Sequence, residues 1–96
     1  MDKNTINKII KFRDDRNWKQ FHTPENLAKS ISIEAAELLE CFQWDDEYNK
    51  SDVLEELADV LIYSISMTDI LGVDIDEIIN DKIKLNAQKY PLDESK

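Results

Sequence analysis

SDVLEELADVLIYSISMTDILG, residues 51–72, decides the fold. Read at the helical repeat of about 100° per residue, it is apolar on two sides. Leu54, Leu57, Ala58, Leu61 and Ile65 fall together, and Val60, Tyr63, Met67 and Ile70 fall opposite them. Ser51 or Asp52 is the expected N-cap, and Gly72 is the expected stop after Leu71. A helix apolar on both sides is normally buried on both. A chain of 96 residues can hardly cover both from within. The second face is therefore expected to meet another subunit or to line a ligand site.

Three more helices extend outward from this one. Upstream, Leu27, Ile31, Ala35, Leu38 and Phe42 make a core stripe on a helix that starts at Thr23-Pro24 and runs to about Phe42. Thr there is an N-cap and Pro suits the first helical position. Trp44 to Lys50 reads as an acidic loop. Ile6, Ile9, Ile10 and Arg13 set a first helix over about Thr5 to Asn17, followed by an aromatic connector from Trp18 to His22. Downstream, Asp74 with Glu77 resembles a capping box for a helix ending near Lys89, before Pro91, with a loose tail after it. One Gly and two Pro leave few breaks, so the expected class is all-α, one domain over residues 1–96. So small a core favours oligomerisation.

A formal net charge of −9 repels polynucleotides and anionic membranes, so neither is an expected partner. Cys41 is the only cysteine, which excludes an internal disulfide and fits a reducing, cytoplasmic setting. Met1-Asp2-Lys3-Asn4 is not apolar and no apolar run approaches 18 residues, so neither a signal peptide nor a membrane span is expected.

Against this background, four acids are out of place. Glu56 and Asp59 lie among Val60, Tyr63 and Met67, and Glu34 and Glu37 repeat the same spacing of three beside Ser30 and Cys41. Glu40 points further outward. Such pairs are common on solvated helix faces, but here both sit on apolar-rich helices. No Lys or Arg lies between Ile31 and Tyr48 to pair with them. Hard oxygen ligands on two facing helices suit Mg²⁺ or Mn²⁺.

Glu34-x-x-Glu37, then Glu56-x-x-Asp59, resembles the signature of the MazG-like all-α nucleoside triphosphate pyrophosphohydrolases. The likeness sharpens toward the dCTP pyrophosphatase branch. It is carried by Arg13-Asp14-Asp15-Arg16-Asn17-Trp18-Lys19-Gln20-Phe21-His22 and by Pro24-x-Asn26-Leu27. It continues through Glu37-Leu38-x-Glu40-x-Phe42-Gln43-Trp44, through Glu55 to Tyr63, and through Lys84-x-Asn86-x-x-Lys89-Tyr90-Pro91. One departure is Ile33, where the wider family opens with a doubled Glu. That argues against a housekeeping MazG-type assignment more than against activity.

The resemblance implies a four-helix MazG-like bundle completed by oligomerisation, a dimer or a tetramer. It implies hydrolysis of dCTP or a related or modified pyrimidine dNTP to monophosphate and pyrophosphate, which would sanitise the nucleotide pool. Divalent metal would be held by Glu34, Glu37, Glu56 and Asp59, with Glu34 and Glu37 as the catalytic candidates and Glu37 able to double as base. Asn86, Lys89 and Tyr90 are candidates to grip phosphates, against the plainer reading of a helix C-terminus with a solvated Lys. Trp18, His22 and Trp44 are candidates for a base pocket, against the plainer reading of aromatic anchors. Phe21 reads as core. Two alternatives stay open: a dUTP or broad-range NTP pyrophosphatase, and a helical oligomerisation or regulatory module without enzyme activity.

Overall fold

In the computed structural model, which describes residues 1–44 and 47–92, every regular element is helical. Helix α1 spans Lys3–Asp15, α2 Pro24–Glu40, α3 Lys50–Leu71 and α4 Ile75–Lys89, with one turn of 3₁₀ helix at Lys19–Phe21. No described helix is long and apolar enough to cross a membrane.

The ends follow local chemistry. Thr23 accepts the Asn26 amide, and Pro24 opens α2. Asp74 accepts the amides of Asp76 and Glu77, an N-cap without the reciprocal half of a capping box among the bonds observed. Gly72 closes α3 at φ 68°, a left-handed conformation that costs glycine nothing. At the start of α3 the expectation fails. Asn49, not Ser51 or Asp52, is the cap, and its side chain accepts the Asp52 amide. Asn, Ser and Asp are near-equivalent caps, so a run of such residues leaves the start ambiguous. Asp45 and Asp46 of the expected acidic loop, and the tail from residue 93, lie outside the described residues.

Helix α3 is the hub, with α2 packed along it and α1 across its C-terminal half. The core is small: Leu27 and Ile65 are 1% and 2% exposed, joined by Ser66 and by the side chain of Arg13. The first face of α3 is only partly core: Ile65 is buried, but its leucines are not, while Tyr63 of the second face lines a cleft as expected. Val60, Tyr63, Met67 and Ile70 are half-buried, whereas Leu54, Leu57 and Leu61 remain exposed. Tertiary packing explains this, because α3 packs chiefly against α2, while α1 is joined to its last turn by the Arg13–Asp69 bond and leaves a cleft along the rest. Along α2, Leu27, Ile31 and Leu38 turn inward, but Ala35 and Phe42 do not. Phe21 is exposed, so it is not core.

Helix α4 stands apart. Every described residue after Ile75 is exposed, including Ile78, Ile79, Ile83 and Leu85. An ion pair between the N-terminal amine and Asp76 ties its first turn to the start of the chain. The radius of gyration is 16.6 Å, against about 12.5 Å for a compact domain of this length. The chain exposes 7832 Å², against about 5,700 Å² for a compact monomer of its mass.

Candidate active site

The packing of α2 on α3 brings both acid pairs to one place. Glu34, Glu56 and Asp59 each offer an oxygen, all within 4.8 Å of one another. Glu37 lies beside them, near enough to act on both Glu34 and Glu56, but it is not one of the three acids whose oxygens converge. Glu34 is accordingly pushed up to about 7, first by desolvation, then by the Glu37 hydrogen bond and the charges of Glu37, Asp59 and Glu56. Glu56 is raised too, first by desolvation, then by Glu37 and the charges of Asp59 and Glu55.

Two oxygens decide what this cluster is fit for. Oε2 of Glu34 and Oε2 of Glu56 are buried without a hydrogen-bond partner. Among the described residues, none of the four acids has a Lys, Arg or His within ion-pair distance. Unpaired buried acceptors are costly, on the order of 1–3 kcal/mol each. A divalent cation is the group that would satisfy them, and hard oxygens are the donors it prefers. The acid cluster can therefore hold a metal ion. Cys41, at the C-terminal end of α2, has its thiol pushed up by burial and then by Glu56 and Asp52, which makes it a poor ligand. Ile33 is exposed, and Glu40 is exposed as expected.

Next to the acids, a cleft of about 670 Å³ opens between α1 and α3, lined in part by Asp59, Trp18, His22, Tyr63 and Arg13. A shallower hollow continues from Trp18, His22 and Tyr63 to Asn26 and Ser30 of α2. His22 and Tyr63 meet edge to face at 6.4 Å, and the His22 Nδ1 is buried without a partner. Burial first, then the charge of Arg13, pushes the imidazole below its ordinary value, so it is neutral at physiological pH.

A family model described as the MazG-like family matches residues 29–96. The chain belongs to the MazG-like family. Relatives of this MazG-like chain include dCTP pyrophosphatase 1 of Mus musculus, 34% identical over 91 residues, covering 84% of this chain and 54% of the relative. The Homo sapiens protein of that name is 33% identical over 90 residues, covering 83% and 53%. The chain thus spans about half the length of the curated relatives it matches. Among solved structures, a pyrophosphatase from Archaeoglobus fulgidus superposes with a TM-score of 0.85 at 42% identity, covering 93% of this chain and 91% of that one.

Of the residues singled out in the sequence, the MazG-like fold gathers Glu34, Glu37, Glu56 and Asp59, and separately Trp18 and His22. Trp44 is 86% exposed and lies past the C-terminal end of α2, while His22 precedes its N-terminal end. A helix of 17 residues puts about 25 Å between them. Asn86, Lys89 and Tyr90 are exposed on α4 and its cap, with Lys89 resting over the Tyr90 ring at 5.4 Å. None of them lines the cleft. Tyr63 lines it without having been singled out as a site residue. Its position four after Asp59 and seven after Glu56 puts it on their face, a spacing that could have flagged it.

Proposed function

We propose that this chain hydrolyses a nucleoside triphosphate to its monophosphate and pyrophosphate, with dCTP or a related or modified pyrimidine dNTP as preferred substrate, and so clears the nucleotide pool. The observation that carries this is the pair of orphaned carboxylate oxygens on Glu34 and Glu56, converging with Asp59 beside an aromatic cleft. The names of the dCTP pyrophosphatase relatives and of the Archaeoglobus pyrophosphatase support the reaction class.

In this reading Glu34, Glu37, Glu56 and Asp59 hold Mg²⁺, with Mn²⁺ able to replace it. When bound, the metal offsets the like charges and supplies Lewis-acid activation at the triphosphate. Glu37 is exposed and lies beside both Glu34 and Glu56, so it is the acid placed to take a proton from attacking water. Trp18 and Tyr63 offer ring faces to the base. Neutral His22 offers one donor and one acceptor to its edge. The shortage of cations around the acids weighs against a non-catalytic module held by salt bridges.

The reading also requires an oligomer, a dimer or a tetramer. The exposed leucines of α3 and the bare apolar side of α4 support it, as does a surface some 2,000 Å² larger than a compact monomer needs. In such an assembly α4 of one copy meets the acids of another, and Asn86, Lys89 and Tyr90 grip the phosphates across the interface. Trp44 is then free to close a neighbour's base pocket. The lone thiol fits the reducing cytoplasm.

The test is pyrophosphate release across ribo- and deoxynucleotides, with Mg²⁺ and with EDTA. Release from dCTP that EDTA abolishes is expected. Preference for dUTP, or equal turnover of the whole panel, would replace the dCTP assignment with a dUTP or broad-range enzyme. No release from any nucleotide would end the enzymatic reading.

A further inference from the structure

Arg13 is 3% exposed and none of the chemistry above uses it. Its guanidinium donates to Asp14 Oδ1 at 2.9 Å and to Asp69 Oδ2 at 2.7 Å. Asp69 sits in the last turn of α3, so the second bond joins α1 to α3. The backbone of the same residue shapes the turn out of α1. Its carbonyl accepts the amides of Arg16 at 3.2 Å and Trp18 at 3.1 Å. Between them Asn17 takes φ 59°, a left-handed conformation that Asn tolerates better than most residues. The chain then turns through Lys19–Phe21 and delivers His22 opposite Tyr63, which is six residues before Asp69 on α3. The Phe21 carbonyl accepts from Asn26 Nδ2 at 3.0 Å, which fastens the far end of the turn to α2.

One residue thus fixes both sides of the aromatic pocket. The Arg13 backbone sets where Trp18 leaves α1, and the Arg13 side chain sets how far that end of α1 lies from the helix bearing Tyr63. We propose that Arg13, through its ion pair with Asp69, is a positioning residue for the base pocket, holding Trp18 and His22 in register with Tyr63. This rests on the reading of that pocket as the nucleobase site.

Stability alone is a weak explanation for the pair. A buried ion pair contributes little beyond what well-packed apolar residues would supply, and replacing both partners by apolar side chains is often neutral or stabilising. Removing one partner alone is the damaging change. Those rules separate positioning from folding. Arg13→Met alone is expected to lower the melting temperature. Arg13→Met combined with Asp69→Leu is expected to restore most of it, since Asp14 stays half in solvent.

The experiment compares full-length wild type, Arg13→Lys and the double variant. Steady-state kinetics with dCTP and Mg²⁺ give KM and kcat, calorimetry gives Mg²⁺ affinity, and NMR follows His22, the only histidine of the chain. The double variant is expected to keep its fold and its Mg²⁺ affinity, to raise KM about tenfold with kcat within about threefold, and to lose the His22–Tyr63 ring contact. Arg13→Lys, which keeps the charge but loses the fork, is expected to fall between. A folded double variant with unchanged KM and an intact ring contact overturns the proposal. If wild type turns over no nucleotide, the proposed function fails by itself. The ring contact in the nucleotide-free double variant then decides Arg13 alone: loss upholds the positioning role, retention overturns it.

Discussion

The α2–α3 pair and α4 treat their burdens in opposite ways. The pair is well packed, yet it buries like charges against each other and leaves two carboxylate oxygens without partners. Helix α4 carries no such conflict, yet it leaves its apolar residues in solvent. Each is a local deficit, and each points to something the single chain does not contain. The pair is short of positive charge, which a cation would supply. Helix α4 is short of apolar cover, which a second copy would supply in the proposed oligomer. Deficits of this kind are informative because they run against what folding alone would select.

The largest expected effect comes from the acids. Glu37→Gln with Glu56→Gln keeps the packing nearly unchanged while removing two charges. Pyrophosphate release should fall on the order of 10³-fold, the scale of losing the ion that neutralises transition-state charge. Unchanged turnover would show that the cluster is not the site. The next effect breaks the other side of the comparison. Ile79→Asp with Ile83→Asp puts charge on the exposed apolar side of α4, where the single chain makes no use of it. Light scattering should then report monomer where the proposed assembly gives a dimer or tetramer for the wild type, with activity down about 100-fold. A wild-type monomer with full activity would show that α4 needs no cover.

A smaller effect sharpens the role of α4. Lys89→Ala or Asn86→Ala should raise KM about tenfold without changing oligomeric state, because in the proposed assembly each removes one contact to phosphate. If KM holds for both, the plainer view of a solvated helix end is right.

Much of this contrast is legible in the sequence, for definite reasons. Caps are read by residues next door, so Thr23-Pro24, Gly72 and Asp74 can be placed from the sequence alone. The acid spacing is a property of one helix at a time, so Glu34 with Glu37 and Glu56 with Asp59 can be paired before any packing is known. What cannot be read is which helix covers which face. Helix α3 offers two apolar sides, and only the placement of α1 and α2 leaves Leu54, Leu57 and Leu61 outside. Aromatic residues mislead for a related reason. Phe21 has the composition of a core residue, but the turn set by Arg13 and Asn17 leaves it outside. Arg13 itself sits on the apolar stripe of α1 with Ile6, Ile9 and Ile10, and nothing local reveals that Asp69 waits 56 residues away.

The smallest expected effect tests the charge conflict without substrate. Glu34 has an ordinary value of 4.5 and stands at about 7 in the folded protein. The folded state therefore holds this proton more tightly than the unfolded state does. Stability of the metal-free protein must fall as pH rises from 4.5 towards 7, and the loss is complete above that. In EDTA, calorimetry should give a melting temperature lower by about 2–4 °C at pH 8 than at pH 5.5. Mg²⁺ competes with the proton and binds best to ionised acids, so it should stabilise most at pH 8 and flatten or reverse the slope. General repulsion from the net charge of −9 has the same sign, so a control is needed. Glu34→Gln supplies it, because the amide neither titrates nor draws a proton into the cluster. The variant should lose a large part of the metal-free slope and most of the Mg²⁺ response. A variant that keeps both would place the conflict elsewhere than on the facing sides of α2 and α3.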